Sequence, residues 1–79
     1  MGSDKIKNLL QIILTGITDT EIEINIRETE MAIIAEIKPN SVVLSKWIIG
    51  RDGKTIDAIR RIFDTVAHKV NKRIIIEVI

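Results

Sequence analysis

The sequence predicts an α+β domain, a three-stranded mixed sheet with three helices on one face, in the order helix, strand, strand, helix, helix, strand. Three observations carry that expectation. Apolar residues recur at three-and-four spacing near the start of the chain and again over 54–70, the period of amphipathic helices. Residues 21–27 alternate strictly between apolar and polar, the period of a half-buried strand. A two-helix stretch separates the second and third strand-like runs, so the last strand returns parallel to the second by a crossover. The 79 residues form one domain, 1–79, with room for one core and one shallow site.

Each element has a local cause. Ile6, Leu9, Leu10, Ile13 and Leu14 lie on one helical face, with Ser3 or Asp4 placed to cap the start and Gly16 to end it. Residues 1–3 are expected to stand outside the fold, disordered or a cloning remnant. Ile22, Ile24 and Ile26 form the apolar face of the first strand, opposite Glu21, Glu23, Asn25 and Arg27. Met31 to Ile37 is the second β-favouring run, joined to the first by Glu28-Thr29-Glu30 as an antiparallel hairpin. Pro39 closes it, and Asn40 or Ser41 can cap a short helix from Val42 to Ile49, weak on propensity because it is rich in β-branched residues. Lys54 to Val70 is the strongest helix, with Ile56, Ile59, Ile62, Phe63, Val66, Ala67 and Val70 in its apolar stripe. The last strand ends the chain in Ile74-Ile75-Ile76-Glu77-Val78-Ile79.

Composition narrows the function. Apolar residues make up 46% and charged ones 29%, the mix of an ordinary folded domain, and without cysteine there is no disulfide, thiolate metal site or cysteine nucleophile. No apolar run approaches the roughly 20 residues of a membrane helix, no secretory signal is present, and a cytoplasmic location is the expectation. Met1-Gly2-Ser3 lacks the Ser or Thr at position six that N-myristoylation requires, since Ile6 stands there. The net charge of +1 conceals a split: residues 1–37 carry three basic against seven acidic side chains, and residues 38–73 carry nine basic against three acidic. A half-chain at +6 is a local field suited to a polyanion, or else an evenly solvated surface.

The one constellation that points to a ligand is the turn between the two later helices. Gly50 and Gly53 bracket Arg51-Asp52, where the chain must reverse sharply and where missing Cβ atoms let a ligand approach the backbone. The first-turn N–H groups of the long helix lie just beyond and favour a phosphate, with Arg51 and Lys54 adding formal charge. Taken alone, the two glycines are equally a helix cap and a hinge.

In its surroundings the turn resembles a family signature. Ile49-Gly50-Arg51-Asp52-Gly53-Lys54-Thr55-Ile56 resembles the I-G-x-x-G-x-x-I motif of KH domains, and the extra helix and strand ahead of the core unit resemble the type II form of that fold. Length and element order along nearly the whole chain are similar to the small stand-alone bacterial KH proteins of the KhpA group. The resemblance implies a non-catalytic single-stranded RNA-binding protein of RNA-chaperone type, needing no cofactor or metal, with the GxxG loop on the sugar-phosphate backbone beside an apolar groove. Carried over by position, Gly50 and Gly53 admit phosphates, Arg51 and Lys54 neutralise them, Ile49 and Ile56 form the groove's wall, and Arg60 reaches its rim. Asp52 is a carboxylate within the same loop, repelling phosphate if turned inward and of little effect if turned outward or paired. With few aromatic platforms, binding is expected to be modest, salt-dependent and weak in sequence preference.

Other features leave alternatives open. Trp47 stands near where the family often has glycine; it either fills the core or, exposed, stacks a base or anchors a protein. His68 with Asp64 one turn earlier is a solvated pair rather than a dyad. Lys72-Arg73 either extends the basic patch or complements the helix terminus. On the last strand Ile75 and Ile79 alternate away from Ile74, Ile76 and Val78, so one sheet face keeps an apolar strip. That strip fits a homodimer, or a heterodimer with a larger KH-containing protein as the resemblance implies; in that reading the domain is an interaction module with a weak or vestigial RNA site.

Overall fold

A computed structural model describes residues 2–79. Helix α1 spans Gly2–Thr18, strand β1 Glu23–Glu28, strand β2 Ala32–Lys38, helix α2 Val42–Ile49, helix α3 Lys54–Val70 and strand β3 Arg73–Val78, with a single 3-10 turn, Arg51–Gly53, between α2 and α3. The sheet order is β1-β2-β3, β1 antiparallel and β3 parallel to β2. This is the α+β architecture expected from the sequence.

The register explains which residues are inside. Ile24 faces Ile37, Ile26 faces Ala35, and on the other side Ile74, Ile76 and Val78 stand beside Ile33, Ala35 and Ile37. These share one face of the sheet, and the helices supply Ile6, Leu10, Leu14, Ile48, Ile56, Ile59 and Phe63 to the same core. Phe63, the only phenylalanine, is completely buried at the centre of α3's apolar stripe.

Several boundaries differ from expectation for identifiable reasons. α1 does not stop at Gly16 but runs to Thr18, because Ile17 and Thr18 are wanted in the interior. The Thr18 hydroxyl donates to the Leu14 carbonyl at 2.8 Å, and Asp19 takes the left-handed conformation that ends the helix, φ 58°. Gly2 and Ser3, grouped by the sequence reading with residues outside the fold, form the first turn of α1; Met1 lies outside the described residues. The β1–β2 turn is organised by Thr29, whose Oγ1 accepts from the N–H groups of Ala32 and Met31 at 3.0 and 3.3 Å. Ser41, one of the two expected caps, holds α2: its Oγ accepts from Leu44 N–H at 3.1 Å.

The uncovered sheet face is more polar than the alternation on β3 alone implies. Ile34 and Ile75 are paired neighbours there. Around them stand Arg27, Glu36, Arg73 and Glu77, and Glu77 interrupts the expected strip between Ile75 and the exposed Ile79. Arg27 and Glu36 approach to 3.5 Å across the strands.

Candidate nucleic-acid interface

α2 ends because Gly50 leaves helical space. Its φ of 79° and ψ of 173° lie in a region essentially restricted to glycine, while its N–H still closes the helix on the Lys46 carbonyl at 2.8 Å. A Cβ there would fall 2.1 Å from Thr55 Oγ1 and 2.8 Å from the Thr55 backbone nitrogen. The next three residues form the 3-10 turn, with Asp52 left-handed at φ 56° and Gly53 left-handed at φ 74°. Gly53 faces open space, so it serves the turn's conformation rather than close packing. It is also the N-cap of α3 and brings no side-chain cap, while the first N–H of the helix, that of Lys54, turns back to the Arg51 carbonyl.

Arg51, Asp52 and Lys54 are all exposed around this turn. Among the described residues none of the three is held in an ion pair or a side-chain hydrogen bond. Asp52 is therefore turned to solvent, not paired with Arg51 or Lys54, and the two cations remain available.

Of the two isoleucines expected to wall a groove, only Ile49 reaches the surface. Ile56 is 5% exposed and packs in the core, supporting the loop from beneath. Arg60 lies on the flank of α3 that faces β3, and its guanidinium is already engaged: Nε and Nη2 donate to the Ile76 carbonyl at 3.2 and 3.1 Å, and Nη1 is 3.6 Å from Asp57 Oδ1. The same seam runs on to an open cleft lined by Asp64, Ala67, His68, Asn71, Arg73 and Ile74. Arg60 thus gives the α3–β3 seam a polar rim, and the cleft lies at the end of α3 remote from the loop.

Lys72 does not extend a basic patch. Its Nζ donates to Glu28 Oε2 at 2.6 Å and to the Thr29 carbonyl at 2.7 Å, tying the start of β3 to the hairpin. The hydrogen bond from Lys72, then one from Ser3, then the Lys72 charge hold the Glu28 carboxyl below the usual carboxylate range. Among the described residues no group of acidic and histidine side chains gathers into a metal site, and no helix is long and apolar enough to cross a membrane.

Trp47, for which the sequence left core and surface both open, is 52% exposed. The alternative that it fills the core is excluded. Ile48 points inward, so its neighbour on the eight-residue helix lies on a flank.

The element order, the parallel last strand and a GxxG loop joining the two central helices together define a type II KH domain. The family model described as "KhpA/KhpB, KH domain" matches residues 7–78. The chain is 35% identical over 75 residues to the "RNA-binding protein KhpA" of Clostridium acetobutylicum, and 32% identical over 75 residues to the protein of the same name from Clostridium perfringens; each alignment covers 92% of this chain and 99% of the relative. No solved structure matches it significantly. The chain belongs to the KhpA/KhpB KH-domain family, which makes it a binding domain and not an enzyme.

Proposed function

We propose that this protein binds single-stranded RNA without catalysis, in the cytoplasm, holding the sugar-phosphate backbone on the Gly50–Gly53 loop. The observation that carries the reading is the loop itself. Two cations with no side-chain partner, Arg51 and Lys54, flank a helix start that carries no side-chain cap and follows a glycine-bracketed turn. The Clostridium relatives named RNA-binding proteins support it, since they align across the loop and nearly the whole chain. Ile49 offers the bases an apolar edge, Ile56 and the two glycines maintain the loop's shape, and Arg60 marks the rim. Phosphates dominate such a site, so sequence preference is weak and affinity falls steeply with salt.

Fluorescence anisotropy of a labelled single-stranded RNA at two salt concentrations tests this, with the unmodified protein against the Arg51→Asp, Lys54→Asp double variant. Salt-sensitive binding that the variant loses supports the loop as the grip. Equal binding by both proteins, or none by either, sinks the proposal.

A second reading has the Ile34–Ile75 pair on the uncovered sheet face in its favour. The domain then serves chiefly as an interaction module, forming a homodimer or a heterodimer with a larger KH-containing protein, with a vestigial RNA site. Sedimentation across a concentration series, with Ile75→Lys as control, separates the two: this reading requires a dimer that the substitution disrupts.

A further inference from the structure

α2 is apolar at six of its eight positions yet is covered on one side only. Ile48 is buried, whereas Val42, Val43, Trp47 and Ile49 are all exposed, which leaves half of an eight-residue helix as apolar surface. An apolar surface of this kind marks a binding site. Its charge indicates what binds: α2 carries no carboxylate, its one charged residue is Lys46, and Arg51 and Lys54 follow directly. Apolar area edged by Lys46, Arg51 and Lys54 against the single carboxylate of Asp52 suits a polyanion with flat apolar faces, which is the chemistry of single-stranded nucleic acid.

Position makes the match specific. Val43 and Trp47 are four residues apart and share one flank of α2, with Ile49 on the other flank and Lys46 on the ridge between them. Trp47 stands three residues before Gly50, about 4.5 Å along the helix axis. A strand whose phosphates rest on the loop therefore has its neighbouring nucleotide within reach of the indole. Since α2 is the element that leads into the loop, the indole and the phosphate grip are held in fixed relation.

We infer that Trp47 is a base-stacking platform that extends the RNA site from the loop across α2, with Val43 as its floor and Lys46 as an added phosphate contact. The inference rests on the RNA-binding reading above and adds a subsite to it: one nucleotide beyond those held at the loop, read by its aromatic face and thus tolerant of base identity. It also answers the scarcity of aromatic residues in this chain, because a single well-placed indole supplies the stacking that the polar α3–β3 seam does not.

Trp47 is the sole tryptophan and the chain has no tyrosine, so its emission reports on this one position. The experiment titrates the full chain with single-stranded oligoribonucleotides and follows tryptophan fluorescence alongside anisotropy. A set of the same oligonucleotide carrying one abasic position at a time is added. The expected result is quenching that saturates with binding, affinity about 5- to 100-fold weaker for Trp47→Ala and near wild type for Trp47→Phe. One abasic position should weaken the wild type and leave Trp47→Ala unaffected. Trp47 is half exposed, and matched unfolding curves for the variants exclude loss of fold.

Binding that depends on Arg51 and Lys54 but neither quenches Trp47 nor responds to Trp47→Ala overturns the inference while leaving the RNA reading intact. A Trp47 spectrum that shifts with protein concentration in the absence of RNA, together with a dimer lost in Trp47→Ala, overturns it in favour of a second copy. No RNA binding by the wild type removes the RNA reading and the inference with it.

Discussion

Replacing Gly50 by alanine tests whether the loop's shape is fixed by backbone geometry. At φ 79° and ψ 173° a residue with a Cβ is strained by about 1–3 kcal/mol. The new Cβ also meets Thr55 Oγ1 at 2.1 Å, Thr55 Cβ at 2.6 Å and Thr55 N at 2.8 Å. Rotation of Thr55 relieves only the first contact. The others require the first turn of α3 to move, and Ile56 and Ile59 anchor that turn in the core; forced shifts of this kind cost a further ~1–3 kcal/mol. The total, on the order of 4 kcal/mol, is a large share of the ~4–12 kcal/mol that a chain of this size commands. Gly53 is the internal control. Its φ of 74° is left-handed, but nothing lies within 4 Å of its Cβ position. There alanine costs about 1–2 kcal/mol, offset by the ~0.4–1 kcal/mol gained from restricting the unfolded chain. At roughly 4–8 °C per kcal/mol, circular dichroism melts should place Gly53→Ala within about 10 °C of wild type and Gly50→Ala at least about 15 °C below it. Thr55→Ala should rescue Gly50→Ala only slightly, because the backbone nitrogen remains. A Gly50→Ala melting point within about 3 °C of wild type, or one above that of Gly53→Ala, would refute the reasoning.

Other outcomes follow from the same geometry. If Arg51 and Lys54 each neutralise one phosphate, Arg51→Asp, Lys54→Asp flattens the plot of log affinity against log salt by about 1.4, at ~0.7 per contact for a single strand; titration at three salt concentrations checks this, and an unchanged slope denies the contacts. Phe63→Ala, at a completely buried position, costs about 3–5 kcal/mol in urea unfolding, and a loss under ~1 kcal/mol contradicts its central place in the core. Lys72→Met lowers the melting point at neutral pH. Because Lys72 depresses the Glu28 pKa in the folded state, that part of the stability is present above the carboxyl's unfolded value, about 4.3, and is lost as pH falls through the lowered folded value. The gap between wild type and Lys72→Met should therefore narrow in melts at acid pH, and a gap that widens there reverses the assignment.

The fold was legible because its signals were periodic and punctuated. Ile22, Ile24 and Ile26 alternate as they pack, and the boundaries of α2 and α3 follow from Ser41 and the two glycines. Gly16 misled because a glycine inside a helix is tolerated when the residues beyond it, here Ile17 and Thr18, gain burial by continuing. The candidate site was legible as a chain segment but not as a surface. The I-G-x-x-G-x-x-I spacing locates the loop, yet gives no sign that Ile56 turns inward, that Lys72 is taken by a carboxylate 44 residues away, or that Trp47 lies outside the core. Those facts depend on which flank of each helix the sheet leaves open. That is settled by packing between distant segments, which periodicity along one segment does not contain.

Arg60 shows how the same packing sorts cations that look equivalent in sequence. β3 is an edge strand, and an unpaired edge invites a stray strand to add to it. The N–H groups of Arg73 and Ile79 bond to Met31 and Ile37, so the backbone at these odd positions turns toward β2 and the Ile76 carbonyl faces outward. Arg60 covers that carbonyl with two nitrogens while Asp57 attends the third. To grip a phosphate directly, the guanidinium must leave a part-buried carbonyl behind, a loss on the order of 1 kcal/mol or more. Arg51 and Lys54 surrender no contact when they bind an anion. The basic half of the chain is therefore not one uniform field: Arg60 and Lys72 are structural cations that guard the sheet edge and pin the hairpin, whereas Lys46, Arg51 and Lys54 are among the cations left free to meet an anion.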